Sequence, residues 1–190
     1  LELLGPNLYT NIYYVLAELI ANAYDADAKN VYIIAGKDYI SVEDDGHGMS
    51  YEEGDIAKYL NVAGVSRTTE QDSLTKSKKR RKMGRKGVGK LAALSVSENV
   101  DVLTIAKGEK SGFVLTRHPE NGHELKAIPD GKIVFERIKN HGSAIIMRNP
   151  QYRLHKTLSA VTRNLIKIFP LVDSNFRIHV IRGKESVTID

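Results

Sequence analysis

The 190-residue sequence contains no cysteine and no long hydrophobic run. Without cysteine, the chain has no disulfide framework, no zinc site built on thiolates and no cysteine nucleophile. No apolar run approaches the roughly 20 residues that cross a bilayer, and the first residues lack the basic start of a signal peptide. We therefore expect a cytoplasmic protein that does not contact the membrane.

Length and composition are those of one domain with a buried core. The chain has 190 residues, of which 42% are hydrophobic, and this is enough for a core of ordinary size. It begins at Leu1 rather than at a methionine and stops at Asp190 without a helix cap. We interpret residues 1–190 as a single domain that is a fragment of a larger protein.

The basic charge of the chain is concentrated in one segment. The formal net charge is +5, but residues 76–90 hold nine of the 28 lysines and arginines and no acidic residue. The remaining 19 basic residues are outnumbered by 23 acidic ones. The net charge is therefore weak evidence for a nucleic-acid surface over the whole domain.

Hydrophobic periodicity predicts helices and strands in a mixed order. The first helix is expected at about 8–25, with Pro6 and Asn7 as its start signals. A short helix is expected from a capping box at Ser50 and Glu53 to about residue 61. Two more helices are expected at 91–96 and at about 154–168. Strands are expected at 31–35, 39–43, 100–106, 112–116, 132–136, 143–147 and around 176–180, with the four between 100 and 147 forming a meander.

This order predicts the fold class. Helices before and between strands, followed by a run of antiparallel strands, favour an α/β (α+β) two-layer sandwich with a mixed, mostly antiparallel sheet and helices on one face. Residues 63–85 are polar and basic and have no hydrophobic period that could anchor them to a core. We therefore expect a mobile lid at about residues 61–88.

A polar line on the first helix is the first candidate site. Glu18, Asn22 and Asp25 lie at spacings of four and three residues and share one arc with Asn11. The alternative is a solvated face, but this line has no cation and contains poor helix formers. An asparagine carbonyl oxygen is a suitable ligand for Mg²⁺, and a carboxylate one turn away can polarise a water.

A glycine cluster follows the second predicted strand. It reads Asp44-Asp45-Gly46-His47-Gly48-Met49. A carboxylate at a strand end, next to glycines that let a ligand approach the backbone, can accept a hydrogen bond from an exocyclic amine such as that of adenine. A simple glycine turn is the alternative. A calcium loop is excluded because its first position would be Ser41 and a strand precedes it.

A second glycine cluster opens the helix predicted at 91–96. It runs from Gly84 through Gly87, Val88 and Gly89 to Lys90, and backbone amides at a helix start bind phosphate. Phosphate-binding loops of the P-loop and dinucleotide-binding kinds both require a hydrophobic strand before the glycines, which is absent from the sequence here. The remaining interpretation is a hinge at the base of the lid whose amides cradle a polyphosphate.

The order and spacing of these motifs, together with Gly142-Ser143 before a strand, resemble the Bergerat-fold ATPases. This superfamily, also called GHKL, joins DNA gyrase, the large heat-shock chaperone, histidine kinases and MutL. The resemblance implies that Asn22 holds Mg²⁺, that Glu18 is the general base, and that Asp45 binds the adenine amino group. The residues it implies as nucleotide contacts are Asp25, Gly48, Met49, Gly84, Gly87, Val88, Gly89, Lys90 and Ser143.

The resemblance also implies an activity. A glutamate at position 18 favours ATP hydrolysis over the phosphotransfer of histidine kinases, and the motif around Asn22 is most similar to the chaperone-like and MORC-like branch. Such ATPases take a lysine from a following domain, so we expect this chain to bind ATP and ADP with Mg²⁺ and to hydrolyse ATP slowly. In the full-length protein, hydrolysis would accompany lid closure and formation of a homodimer.

Two other functions stay open. The basic segment 76–90 could contact DNA, although it has no interleaved aromatic residue for base stacking, and a solvated loop or a nuclear-localisation signal would have the same composition. The second alternative is an ATP-binding domain of the histidine-kinase type.

Overall fold

A computed structural model of the chain describes residues 11–60, 74–77, 80–83, 89–118, 125–170 and 174–190, with only the backbone for 89–91. These residues form helices α1 (Ile12–Asp25), α2 (Asp55–Leu60), α3 (Gly89–Val96) and α4 (Leu158–Ile168). The strands are β1 (Asn30–Ala35), β2 (Tyr39–Asp44), β3 (Asn99–Ala106), β4 (Glu109–Thr116), β5 (Lys126–Ala127), β6 (Gly142–Arg148), β7 (Arg177–Arg182) and β8 (Glu185–Ile189). None of the described helices is both long and apolar enough to span a membrane.

The strands form one sheet in the order β5-β4-β3-β6-β2-β1-β7-β8. The β1–β7 pair is parallel, and the other described strand pairs are antiparallel. Side chains of α1, α3 and α4 share one apolar cluster with alternate residues of the strands, so the helices cover one face. The predicted two-layer sandwich with a mixed, mostly antiparallel sheet is confirmed.

The start of α1 differs from the prediction. The helix begins at Ile12 and is capped by Asn11, whose Oδ1 accepts a hydrogen bond from the backbone N–H of Tyr13 at 2.9 Å. Asn11 therefore serves the helix end rather than the polar line, and the predicted start signals Pro6 and Asn7 lie outside the described residues. The apolar stripe of α1 is buried as predicted, from Ile12 to Ala23.

The second face of the sheet carries a segment that was predicted as a strand. Residues 132–136 contain no strand, and a short 3-10 helix occupies Asp130–Lys132 instead. Ile133 packs against Leu103 and Ala144 on this face. The carboxylate of Glu43, which is 2% exposed, accepts hydrogen bonds from the backbone N–H groups of residues 136, 137 and 138 at 2.8, 2.9 and 3.3 Å. These donors thus bind a side chain rather than a neighbouring strand.

One further strand prediction is wrong, and one strand was not predicted. The strands between residues 99 and 148 do not form a meander, because β6 lies between β3 and β2 while β4 lies on the other side of β3. To reach the position of β6, the chain crosses the second face of the sheet. The segment described above as packing on that face is this crossing connection. The unpredicted strand is β8, which returns along β7 after a tight turn at Gly183, where φ is +58°.

Candidate functional site

The polar line of α1 provides two side chains that are open to a ligand. Glu18 is half-buried and makes no hydrogen bond or ion pair with any other residue that the structure describes. Burial raises the pKa of its carboxyl group. Asn22, one helical turn later, is exposed. A carboxylate with a raised pKa is a better proton acceptor than an ordinary surface glutamate.

A carboxylate at the end of β2 lies on the same face of the sheet as α1. Ile40 and Val42 point into the helix-side core, so the period-two alternation of the strand places Asp44 on that face as well. The side chain is 9% exposed, and its Oδ1 accepts a hydrogen bond from the N–H of Gly46 at 2.9 Å. Burial, together with the nearby carboxylates of Asp45 and Glu43, raises the pKa of Asp44 to about 7.

The neighbouring Asp45, which the sequence analysis assigned to adenine, is engaged by the protein itself. Its Oδ1 accepts hydrogen bonds from the backbone N–H groups of Lys29 and Asn30 at 2.7 and 2.8 Å. Its Oδ2 accepts one from the Asn30 side chain at 2.8 Å. Both oxygens thus hold the start of β1. The structure therefore favours Asp44 over Asp45 as the carboxylate that faces a ligand.

Three polar side chains form a row across the helix face of the sheet. In the strand register, Thr104 of β3 lies opposite Ser143 of β6, and Ser143 lies opposite Asp44 of β2. Because adjacent strands are about 4.8 Å apart, the row spans about 10 Å. It continues the positions that Val102, Ile145 and Val42 occupy in the core. We call Thr104, Ser143 and Asp44 the polar row.

The glycine loop after β2 is fixed between the polar row and α1. The N–H of His47 donates to the carbonyl of Ala26 at 3.0 Å, which places the loop one helical turn from Asn22. On the other side, the N–H of Met49 donates to Oγ1 of Thr104 at 2.7 Å. Gly48 has φ +70°, and a Cβ there would lie 2.1 Å from the carbonyl oxygen of Ile105. The loop can therefore hold this course only with glycine at position 48.

Thr104 and His141 support this loop and were not singled out in the sequence. Thr104 is fully buried, and a single hydroxyl residue at an inward position of an otherwise apolar strand is the signal that could have identified it. Nδ1 of His141 donates to the carbonyl of Gly46 at 2.7 Å. His141 precedes the Gly142-Ser143 pair that the sequence analysis did select.

Part of the predicted lid is anchored to the end of α1. Asp25 accepts a hydrogen bond from the N–H of Met83 at 2.6 Å, and Asp27 accepts two from Ser77, at 2.8 Å from its N–H and 2.6 Å from its hydroxyl. Arg80 donates to the carbonyl of Ala28 at 2.7 Å. Residues 74–77 and 80–83 are thus held by polar contacts, although the sequence showed no apolar period to anchor them. Asp25 serves here as an anchor of the lid.

Two cations of the basic segment are already paired within the protein. Arg80 also donates to the carbonyl of Asn175 at 2.9 Å and stacks over the ring of Tyr24 at 4.6 Å. Nζ of Lys76 lies 3.2 Å from a carboxylate oxygen of Asp55 and 3.6 Å from one of Glu53. Acidic side chains thus offset the charge of Lys76, and the guanidinium donors of Arg80 that bind these carbonyls are not available to DNA.

The second glycine cluster is only partly described. Gly84, Gly87 and Val88 lie outside the described residues, and the predicted phosphate contacts there stay predictions. Gly89 and Lys90 form the start of α3, whose backbone is described, and α3 packs against α1. The described helix start therefore belongs to the same layer as the polar line of α1.

The donor set on α1 fits Mg²⁺ only together with a ligand. Among the described residues, no three His, Asp or Glu side chains come together in a way that could hold a metal ion. Asn22 offers one exposed amide oxygen. Mg²⁺ binds through few protein oxygens and completes its shell with waters and phosphates, so these residues fit the ion if a polyphosphate is bound beside them.

Comparison with known proteins identifies similar domains. The model of the family described as histidine kinase-, DNA gyrase B- and HSP90-like ATPase matches residues 9–143. HgiDII of Herpetosiphon aurantiacus, named as a candidate type II restriction enzyme, is 29% identical over an alignment of 186 residues that covers 94% of this chain and 29% of that protein. DNA mismatch repair protein MutL of Bacteroides fragilis is 35% identical over an alignment of 122 residues that covers 62% of this chain and 19% of MutL.

A third relative is a chaperone. Chaperone protein HtpG of Bacteroides fragilis is 30% identical over an alignment of 122 residues that covers 55% of this chain and 17% of HtpG. The chain therefore spans less than a third of the length of each of these three relatives.

Gly48→Ala tests the fixed course of the loop. The added Cβ meets the Ile105 carbonyl, so we expect the free energy of unfolding to fall by about 3 kcal/mol or more, from the left-handed φ and the steric overlap together. Gly108→Ala is the matched control, because Gly108 also has a positive φ, of +81°, but open space around it. Urea denaturation measures both, and equal losses would contradict the close contact.

Asp44 predicts a pH dependence of stability. Its pKa is about 7 in the folded chain against 3.8 for an ordinary aspartate. Between these values the folded state keeps a proton that the unfolded state loses, so the free energy of unfolding falls as pH rises from about 4 to 7, by at most about 1.4 kcal/mol per unit. Urea denaturation across this range should show a smaller fall for Asp44→Asn. The exposed control Asp130→Asn should follow the unmodified protein; parallel profiles for all three would refute the assignment.

Proposed function

Since the chain belongs to the family of histidine kinase-, DNA gyrase B- and HSP90-like ATPases, we propose that it binds ATP with Mg²⁺ and hydrolyses it slowly. In the longer protein this cycle drives a conformational switch and homodimer formation. The observation that carries the proposal is Glu18, a half-buried carboxylate without a partner among the described residues, one turn before Asn22 on α1. The end of β2, on the same face of the sheet as that helix, holds a second carboxylate, Asp44, which is buried.

We assign recognition of adenine to Asp44 in place of Asp45. A carboxylate can only accept hydrogen bonds, and the exocyclic amine of adenine can only donate them usefully. Asp44 is on the helix face, next to a loop with glycines, whereas the oxygens of Asp45 hold the backbone of β1. Ser143, directly opposite Asp44, supports its carboxylate or the base, and Gly48 and Met49 border the ring.

The phosphates belong at the second glycine cluster in this proposal. Backbone amides from Gly84, Gly87, Val88, Gly89 and Lys90 bind them, since amides at a helix start are free to donate. The start of α3 at Gly89, packed in the same layer as α1, supports this arrangement. Asn22 contributes an oxygen to Mg²⁺, which when bound offsets phosphate charge. Asp25 lines the nucleotide pocket, and the hydrogen bond that it accepts from the N–H of Met83 holds the base of the lid beside it.

Glu18 activates the attacking water. Its carboxylate accepts a proton from water while the water oxygen forms a bond to the terminal phosphorus of ATP. The bond from that phosphorus to the bridging oxygen breaks, and ADP leaves with the electron pair. The raised pKa of Glu18 suits this role, because burial makes its carboxylate a stronger base.

The names of two relatives support a DNA-related setting for the longer protein. The relative that matches 94% of the chain is named as a candidate restriction enzyme, and another is named as a mismatch repair protein. We propose that the nucleotide switch serves a protein that acts on DNA. Direct DNA contact through segment 76–90 has weaker support than this DNA-related setting. Lys76 already forms an ion pair with Asp55, and the guanidinium of Arg80 already donates to the carbonyl of Asn175.

Asp44→Asn and Asp45→Asn separate the two carboxylates. At pH 8, where Asp44 is ionised, Asp44→Asn should weaken the binding of ADP by about 10-fold to 100-fold, the loss that corresponds to one hydrogen bond to a charged group. Asp45→Asn should lower stability but leave ADP affinity within about threefold of the unmodified protein. Calorimetric titration of the folded variants measures both. The reverse pattern would return the adenine contact to Asp45.

Glu18→Ala tests hydrolysis apart from binding. Phosphate release under single-turnover conditions should fall at least about 100-fold, because general-base catalysis contributes this much or more. ATP affinity should persist, since Glu18 acts on water rather than on the nucleotide. Glu109→Ala, a change of an exposed glutamate on β4, is the control and should leave both quantities unchanged. If Glu18→Ala leaves hydrolysis intact, Glu18 is not the base.

A further inference from the structure

A cavity lies at the other end of β2 from Asp44. Its volume is about 450 Å³, and it opens between the β1–β2 turn, the loop that joins β6 to α4, and the end of β7. Strand β2 runs from this cavity to Asp44 and has six residues. Because neighbouring strand residues are about 3.3 Å apart, the cavity end of β2 lies about 17 Å from Asp44. The cavity is therefore not a part of the site described above.

The charged side chains that line this cavity are mostly basic. Among the described residues they are Lys37, Arg153, Lys156 and Arg182, with Asp38 as a single carboxylate. Within the described part of the chain, Lys37, Arg153 and Lys156 form no ion pair with an acidic side chain. We call Lys37, Arg153, Lys156 and Arg182 the basic cluster. Four like charges around one cavity repel one another, and a bound anion would offset that repulsion.

The frame that carries the basic cluster is fixed by hydrogen bonds. The guanidinium of Arg182 donates to the carbonyl oxygens of His155, at 2.7 Å, and of Lys156. The N–H of Asn149 donates to the carbonyl of Asp38 at 2.8 Å, which ties the loop before α4 to the β1–β2 turn. The N–H of His155 donates to the hydroxyl of the buried Tyr13 at 3.1 Å. These hydrogen bonds thus fix the three segments around the cavity relative to one another before any ligand binds.

We propose that the basic cluster binds a phosphate-bearing ligand, in a site separate from that of the nucleotide. Lysine ammonium and arginine guanidinium groups are the usual partners of phosphate oxygens in proteins. A volume of about 450 Å³ is within the range of sites for small ligands. Phosphate groups reach such a site from two sources, the backbone of a nucleic acid or a free phosphoanion, and the cluster has the chemistry to bind either.

The test compares two triple variants that remove the same number of charges. Lys37→Gln/Arg153→Gln/Lys156→Gln neutralises the cluster and keeps Arg182, which holds the loop. Lys110→Gln/Lys126→Gln/Lys132→Gln removes three exposed lysines that do not line the cavity. Binding of a 20-base-pair duplex is measured against salt concentration, and binding of pyrophosphate is followed by amide chemical shifts.

A nucleic-acid source predicts that the cluster variant lowers the slope of log affinity against log salt by about 2.7, or about 0.9 for each lost phosphate contact. A free phosphoanion source predicts that pyrophosphate shifts the amides of residues 37, 153 and 156 in the unmodified protein and not in the cluster variant. Either result supports the proposal. Equal salt slopes for the two variants, together with no pyrophosphate shift at these amides, would overturn it.

Two readouts keep this proposal distinct from the nucleotide site. The cluster variant should bind ADP as the unmodified protein does, and Asp44→Asn should keep its binding of the duplex or of pyrophosphate at the basic cluster. Loss of ADP binding in Asp44→Asn alone concerns the nucleotide site, and loss of anion binding in the cluster variant alone concerns the basic cluster.

Discussion

Three consecutive carboxylates at the end of β2 set the relation between the two faces of the sheet and the loop beyond it. Glu43 binds backbone N–H groups of the segment that crosses the second face. Asp44 turns to the helix face, and Asp45 holds the first residues of β1. Because the strand alternates with a period of two, moving this sequence by one residue would exchange the first two roles and send Glu43 toward α1. The site therefore depends on the register of β2, which its pairing with β1 and β6 maintains on both sides.

The polar row gains its position from the same register. Thr104, Ser143 and Asp44 come from three strands that are far apart in the sequence, and each lies two residues from an inward-facing apolar residue of its own strand. The row lies where the core ends, so the carboxylate of Asp44 has little water around it and its pKa is raised to about 7. Glu18 obtains its raised pKa in the same way, from burial on α1. Desolvation of two acidic groups on facing layers is thus the common electrostatic feature of the site.

The sequence predicted the layers of the fold and several site residues, because apolar periodicity records which side faces the core. Counting that same alternation from Ile40 and Val42 would have selected Asp44, whereas proximity to the glycines selected Asp45. The lid base could not be read from periodicity, since Asp27, Ser77 and Arg80 hold it by polar contacts that leave no apolar pattern. The second-face segment was mistaken for a strand because Ile133 and Phe135 alternate like strand residues, yet the partner of its backbone is a glutamate side chain.

The parallel pairing of β1 with β7 has a consequence for how the chain folds. It joins Asn30 to Arg177, so one side of β1 stays without its partner until residues near the opposite end of the chain have docked. High contact order of this kind slows folding. Without β7 and β8, β1 would be the open edge of the sheet. Such an edge is a template for association between copies, so the last two strands protect the domain against aggregation.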